Sequence, residues 1–166
     1  MRPAGIGLAL LAATTVGCGE EQTTTGLRPA LEEIAPAIAA VEAARGGPQQ
    51  YFEINATPQF VNLFVAGADA TDVQVYLYSD GELAEPTPPQ PAGGSTFAAT
   101  AAGFDAATIR AGLDEDLPDS DVIVFAIVAG PGGVARFSAS VQSAEGGSLD
   151  VSLGPDGEVL VVDPGP

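Results

Sequence analysis

The stretch Val73-Gln-Val-Tyr-Leu-Tyr-Ser-Asp-Gly-Glu-Leu83 returns 76 residues later, without a gap, as Leu149-Asp-Val-Ser-Leu-Gly-Pro-Asp-Gly-Glu-Val159, with five of the eleven positions identical. In each copy an apolar residue alternates with a smaller or more polar one (Val73, Val75, Leu77; Leu149, Val151, Leu153), and an Asp-Gly pair follows (Asp80-Gly81, Asp156-Gly157). Alternation at period two marks a strand buried on one face, and Asp-Gly supplies residues that tolerate the positive φ of a tight turn. At the same offset Val61 falls on Phe137 and Val65 on Val141, so the likeness covers Val61–Leu83 and Phe137–Val159. Laid over one another in this way, Val75, Leu77, Val151 and Leu153 are expected to face one shared core.

Upstream of the first copy, Leu27, Leu31, Ile34, Ile38 and Val41 recur at the spacing of one helix face, and Gly46-Gly47-Pro48 ends the run. Pro29 suits the first turn of that helix, whereas Pro36 is expected to kink or divide it. Strands are expected over Tyr51–Asn55, Phe60–Val65 and Asp72–Tyr78. Glu85-Pro-Thr-Pro-Pro-Gln-Pro-Ala-Gly-Gly94 reads as a semi-rigid connector, with Ser95–Ala99 as a short edge strand. Asp105 is a suitable N-cap for a helix over Ala106–Ala111, stopped by Gly112. Strands follow over Val122–Ala129, Val134–Val141, Ser148–Leu153 and Glu158–Val162, joined at Gly130-Pro-Gly-Gly133, Glu145-Gly-Gly147 and Asp156-Gly157. The fold class is therefore α+β, built from two αβββ-type halves, residues 27–83 and 105–166, on either side of a Pro/Gly-rich connector at 84–104. Each half alone buries little apolar surface, so the two are expected to pack as one compact body.

Composition limits the chemistry. The formal net charge is −17, with five arginines and no lysine, which disfavours nucleic acid and anionic lipid heads as partners. There is no histidine and one cysteine, Cys18. That excludes an intramolecular disulfide, the His-dependent nucleophile systems and the usual zinc ligand sets. The densest acidic run is Asp114-Glu115-Asp116…Asp119-Ser120-Asp121, where Asp114, Asp116, Asp119 and Asp121 are calcium candidates, although the spacing fits no EF-hand loop and solvated charge is the plainer reading. Asp80 with Glu82, and Asp156 with Glu158, form two carboxylate pairs of the kind glycosidases use. Each pair lies at a turn or strand end, no tryptophan is present to stack a sugar, and turn chemistry accounts for the aspartates. No catalysis and no cofactor are expected. Asn55-Ala56-Thr57 matches a glycosylation acceptor, read here as a chance match.

Residues 1–17 carry a positive start at Arg2, a short apolar run Ile6–Ala13, and Thr15-Val16-Gly17 before Cys18, the pattern of a secretion signal too short for a permanent span. Val16-Gly17-Cys18 resembles the lipobox of bacterial lipoproteins, with Thr15 where that family usually has leucine. The resemblance implies cleavage after Gly17, lipid on Cys18, and a flexible tether over residues 18–26, so that the chain is held at the cell membrane or outer membrane on its extracytoplasmic side. The helix-then-meander plan, ending twice in Asp-Gly-Glu and an apolar residue (Leu83, Val159), resembles the PepSY and cystatin-like group of secreted bacterial modules. This implies a non-catalytic interaction or regulatory module with a protein or polymer partner in the envelope. The alternative is a carrier that holds an apolar ligand or lipid between helices and sheet.

Overall fold

The computed structural model describes residues 26–142 and 146–164. Cys18, the signal-like segment and the tether up to residue 25 lie outside them. The fold is mixed α+β and mostly sheet: ten strands, all paired antiparallel, form one sheet with two helices packed against it.

The chain enters through a turn of 3-10 helix, Leu31–Glu33, that runs into α1, Ile34–Arg45. Leu31, Ile34, Ala37 and Val41 are fully buried and form the inward stripe; Leu27 is exposed and precedes the helix. Pro36 does not kink α1. It is the third residue of that helix, within the first turn, where backbone N–H groups lack an intrahelical acceptor. Pro29 lies ahead of the 3-10 turn, and its carbonyl accepts from the Leu31 N–H.

Three strands follow, β1 (Gln50–Ala56), β2 (Val61–Ala66) and β3 (Asp72–Ser79), and then three two-residue strands, β4 (Glu82–Leu83), β5 (Gln90–Pro91) and β6 (Phe97–Ala98). Helix α2 spans Ala106–Asp116, capped by Asp105, whose carboxylate accepts from the Thr108 N–H at 2.7 Å. The chain closes with β7 (Asp121–Ala129), β8 (Ala135–Gln142), β9 (Ser148–Leu153) and β10 (Val159–Pro164). The strand order is β10-β9-β8-β7-β1-β2-β3-β4, with β5 also on β3 and β6 also on β1.

One apolar layer unites the helices and the sheet. Ile34, Ala37 and Val41 of α1 and Ile109 and Leu113 of α2 belong to the same buried cluster as Ile54, Leu63, Phe125, Ile127, Phe137, Val141, Val151 and Leu153. Burying each large apolar side chain contributes about 1.5–3 kcal/mol, so this layer holds the sheet to the helices. Phe104, Phe125 and Phe137 form an aromatic triangle within it, with ring centroids 5.7 to 6.2 Å apart.

Two further expectations are corrected. In β3 the core-facing residues are Tyr76 and Tyr78, 6 % and 7 % exposed, while Leu77 is 37 % exposed. Val61 pairs with Tyr78, whereas Phe137 pairs with Leu153, so the register of the two hairpins differs by one residue and Leu77 turns to the other face. Six residues separate the paired Ala66 and Val73, against five between Gln142 and Ser148. The larger tyrosine rings, which bury more apolar area, take the inner positions.

The other correction concerns α2, which runs through Gly112 instead of stopping there. A Cβ on Gly112 would lie 2.6 Å from the carbonyl carbon of Gly157, and one on Gly157 would lie 2.8 Å from the Ile109 carbonyl oxygen. Glycine at 112 therefore lets the helix sit directly on the β9–β10 turn.

Candidate interaction surface

The close approach of Gly112 to Gly157 opens a groove beside it. The wall from α2 is Thr108, Ala111, Glu115 and Asp116, and the wall from the β9–β10 turn is Asp156 and Glu158, around a volume of about 520 Å³. Four carboxylates and no cation line it. Asp116 closes one end by accepting from the Val159 N–H at 2.8 Å, which ties the start of β10 to the helix.

Beyond the groove lies β10. Among the described residues its only neighbour is β9, through the pairs Val159↔Leu153, Val161↔Ser152, Val162↔Val151 and Asp163↔Asp150, with a bulge between Val159 and Val161. The opposite edge of β10 thus presents backbone donors and acceptors without a strand. Leu160, Val161 and Val162 are 59 %, 58 % and 51 % exposed, and among the described residues they are the longest consecutive run of exposed large apolar side chains.

The other end of the sheet is closed. Residues 82–91, expected to be largely a linker, run along the outer edge of β3. β4 pairs with its end (Tyr78↔Leu83) and β5 with its start (Asp72↔Pro91, Val73↔Gln90). Between them the Ala84 N–H donates to the Leu77 carbonyl, the Thr87 N–H to the Val75 carbonyl, and the Val75 N–H to Thr87 Oγ1. Pro86, Pro88, Pro89 and Pro91 leave this added edge with few N–H groups to offer a further strand.

The four calcium candidates are not gathered around a point. Asp114 accepts from Arg28 Nε at 2.7 Å, Asp121 accepts from the Leu27 N–H at 2.6 Å, Asp116 holds β10, and Asp119 is exposed. Arg28 also donates to the carbonyls of Leu117 and Ser120, just past the end of α2. Three of these aspartates are braces: Asp114 ties the entering chain to α2, Asp121 ties it to the start of β7, and Asp116 ties β10 to α2. Among the described residues no group of three acidic, cysteine or histidine side chains is placed to hold a metal ion. The two carboxylate pairs also part company, Asp80 and Glu82 lying at the β3–β4 hairpin and Asp156 and Glu158 at the β9–β10 turn, toward opposite ends of the sheet. Asn55, half-buried in β1, accepts from Asn62 Nδ2 at 3.1 Å and donates to Glu53 Oε1 at 2.8 Å, a polar ladder across the strands.

Arg110 grips Glu32 through two hydrogen bonds of 2.9 and 2.7 Å, and this holds the Glu32 carboxyl below its ordinary range. Asp105 is lowered by the backbone N–H of Thr108, and Asp69 by the Thr71 hydroxyl. Burial pushes the Tyr51 phenol up, and its Oη has no hydrogen-bond partner among the described residues.

Sequence reasoning missed the groove and the open edge. The groove joins residues about 40 positions apart and carries no local spacing. The edge did leave a signal: Val159-Leu-Val-Val162 does not alternate, as a strand does when more than one of its sides meets protein. No helix among the described residues is long and apolar enough to cross a membrane. Comparison with known proteins finds no family model, no curated protein and no solved structure that matches this chain.

Proposed function

We propose that this chain is a lipid-anchored, extracytoplasmic interaction module without catalysis of its own, which engages a protein partner through one end of its sheet. The observation that carries the reading is the outer edge of β10: among the described residues this side of the strand meets no other strand, and it carries three exposed apolar residues beside a carboxylate-lined groove. Strand addition to such an edge takes its affinity from main-chain hydrogen bonds and its specificity from the flanking side chains. The carrier reading needs space between helices and sheet, and that layer is occupied by Leu31, Ile34, Val41, Ile109 and Leu113 packed on the sheet's inner face. The anchor reading rests on Cys18 directly after the signal-like segment.

The finer architecture in this proposal is a duplicated αβββ unit. Two features support it beyond the repeated stretch. β1 and β7 each carry a bulge, between Tyr51 and Glu53 and between Val122 and Val124, at a constant offset of 71 residues. At that offset the central pair Ile54↔Ile127 maps onto Ala56↔Phe125, and Asn55↔Ala126 maps onto itself. That is the pattern of two equivalent units related by a local two-fold axis between β1 and β7. The one-residue slip at β3 is then a later divergence of one hairpin.

The anchor is tested by Cys18→Ser followed by membrane fractionation. The variant is expected in the soluble fraction or unprocessed; normal cleavage with full membrane retention would contradict lipid attachment.

A further inference from the structure

The identity of what adds to β10 follows from charge. We infer that β10 docks an extended, basic segment of another protein as an eleventh strand, with cationic side chains reaching the groove formed by Glu115, Asp116, Asp156 and Glu158. This rests on the interaction-module reading above but not on the anchor.

Two observations converge on the occupant. The first is the edge itself. An exposed apolar edge strand invites pairing, and proteins that avoid it place prolines, charges or covering segments there. This protein does so along β3, with residues 82–91 and their prolines, whereas among the described residues nothing of the kind lies along Val159–Val162. The second is the electrostatics. The groove opens where β10 begins, Glu115 and Glu158 are both exposed, and neither takes a partner among the described side chains. A strand laid on β10 projects alternate side chains to the helix side of the sheet, and those beyond Val159 come within reach of these carboxylates. Lysine or arginine there meets opposite charge, and apolar residues at the other positions meet Val161 and Leu160.

A second copy of this chain fits the same edge poorly. Antiparallel self-pairing centred on Val161 would set Val159 against Asp163 of the copy and bring Glu158 close to that carboxylate, and it would join two bodies of net charge −17. An acidic or neutral peptide would leave four carboxylates beside it uncompensated. A cationic strand satisfies the main chain and the charge together.

The test uses the full chain, purified in mild detergent so that the result is independent of lipid on Cys18. The probe is a fluorescein-labelled eight-residue peptide of alternating Lys and Val, read by anisotropy. Saturable binding is expected, falling by about ten-fold between about 50 and 500 mM salt. The same peptide with alternate backbone amides N-methylated keeps its charge and loses strand pairing, and it is expected not to bind. Glu115→Gln with Glu158→Gln, both exposed and outside the core, should weaken binding about five-fold or more, whereas Glu82→Gln with Glu85→Gln at the opposite edge should leave it unchanged. Equal binding of the N-methylated peptide, or equal loss from both pairs of substitutions, would mean diffuse attraction to an acidic body and would overturn the proposal. So would absence of binding, or sedimentation showing that the chain self-associates and that Val161→Pro dissolves the dimer. If the peptide fails while Cys18→Ser still releases the protein, the anchored-module reading stands and this assignment alone falls.

Discussion

The two ends of the sheet receive opposite treatment. At the β3 end, residues 82–91 fold back along the strand, pair with it at both ends, and present prolines outward. At the β10 end, the last strand carries the exposed Leu160, Val161 and Val162 with no neighbour beyond it among the described residues. The inner sides differ as well: α1 reaches over β2 to β4, whereas α2 bears on the β9–β10 turn through Gly112 and leaves a charged groove there. A chain whose one edge is covered and whose other edge is apolar and flanked by charge has a polarity, and that polarity is the basis for assigning a docking end.

The largest effect should separate the two matching hairpins. Leu153→Ala removes a core side chain in β9 and is expected to cost about 2–5 kcal/mol, whereas the positionally matched Leu77→Ala, on the outer face of β3, should cost under about 1 kcal/mol. Chemical denaturation of both variants checks this, and equal losses would restore the register of the sequence reading. Next, Gly112→Ala improves helix propensity by about 1 kcal/mol, yet the new methyl meets the Gly157 backbone; a net loss of about 1–3 kcal/mol is expected in the same assay. A gain would mean that α2 does not press on the β9–β10 turn.

Smaller effects test the buried and bracing groups. Tyr51→Phe removes an unpartnered hydroxyl from the core and is expected to lie within about 1 kcal/mol of the parent, with a tendency to stabilise. At acid pH, Glu32, Asp69 and Asp105 all have lowered values in the fold, so their contribution is complete above the ordinary carboxylate values of 4.5 and 3.8 and is lost as pH falls through the lowered ones. Melting followed from pH 6 down to about pH 2 should therefore show a progressive loss below about pH 4.5, shallower in Glu32→Gln. The smallest expected change is from calcium. Because Asp114, Asp116 and Asp121 already hold Arg28, Val159 and Leu27, unfolding midpoints with calcium and with a chelator should agree within about 2 °C, and a rise of about 10 °C would contradict the bracing role.

Most strands could be read from the sequence because alternation and turn residues are local signals. Ser148–Leu153 matches β9 at both ends, and β1, β2, β7 and β8 differ from the reading by a residue or so at each end. What failed depended on distant partners. Val75-Tyr-Leu-Tyr78 is apolar at every position, so alternation cannot say which two residues face inward; pairing with Val61 and ring size decide it. Gly112 looks like a helix stop until Gly157 is placed against it. A proline-rich run without a strand pattern reads as a linker, although prolines are also what a covering edge requires. The aspartates of residues 114–121 look like a cation site in one dimension, and the arginine and backbone donors that occupy three of them come from residues 27, 28 and 159.

The polarity of the sheet is tested most directly by amide hydrogen exchange on the full chain, read strand by strand with and without the Lys/Val peptide. In the free protein the amides of 159–163 should exchange faster than those of 72–79, and the peptide should slow exchange at 159–163 while leaving 72–91 unchanged. Slow exchange of β10 in the free protein, or new protection along 72–91, would contradict the assignment of β10 as the docking edge.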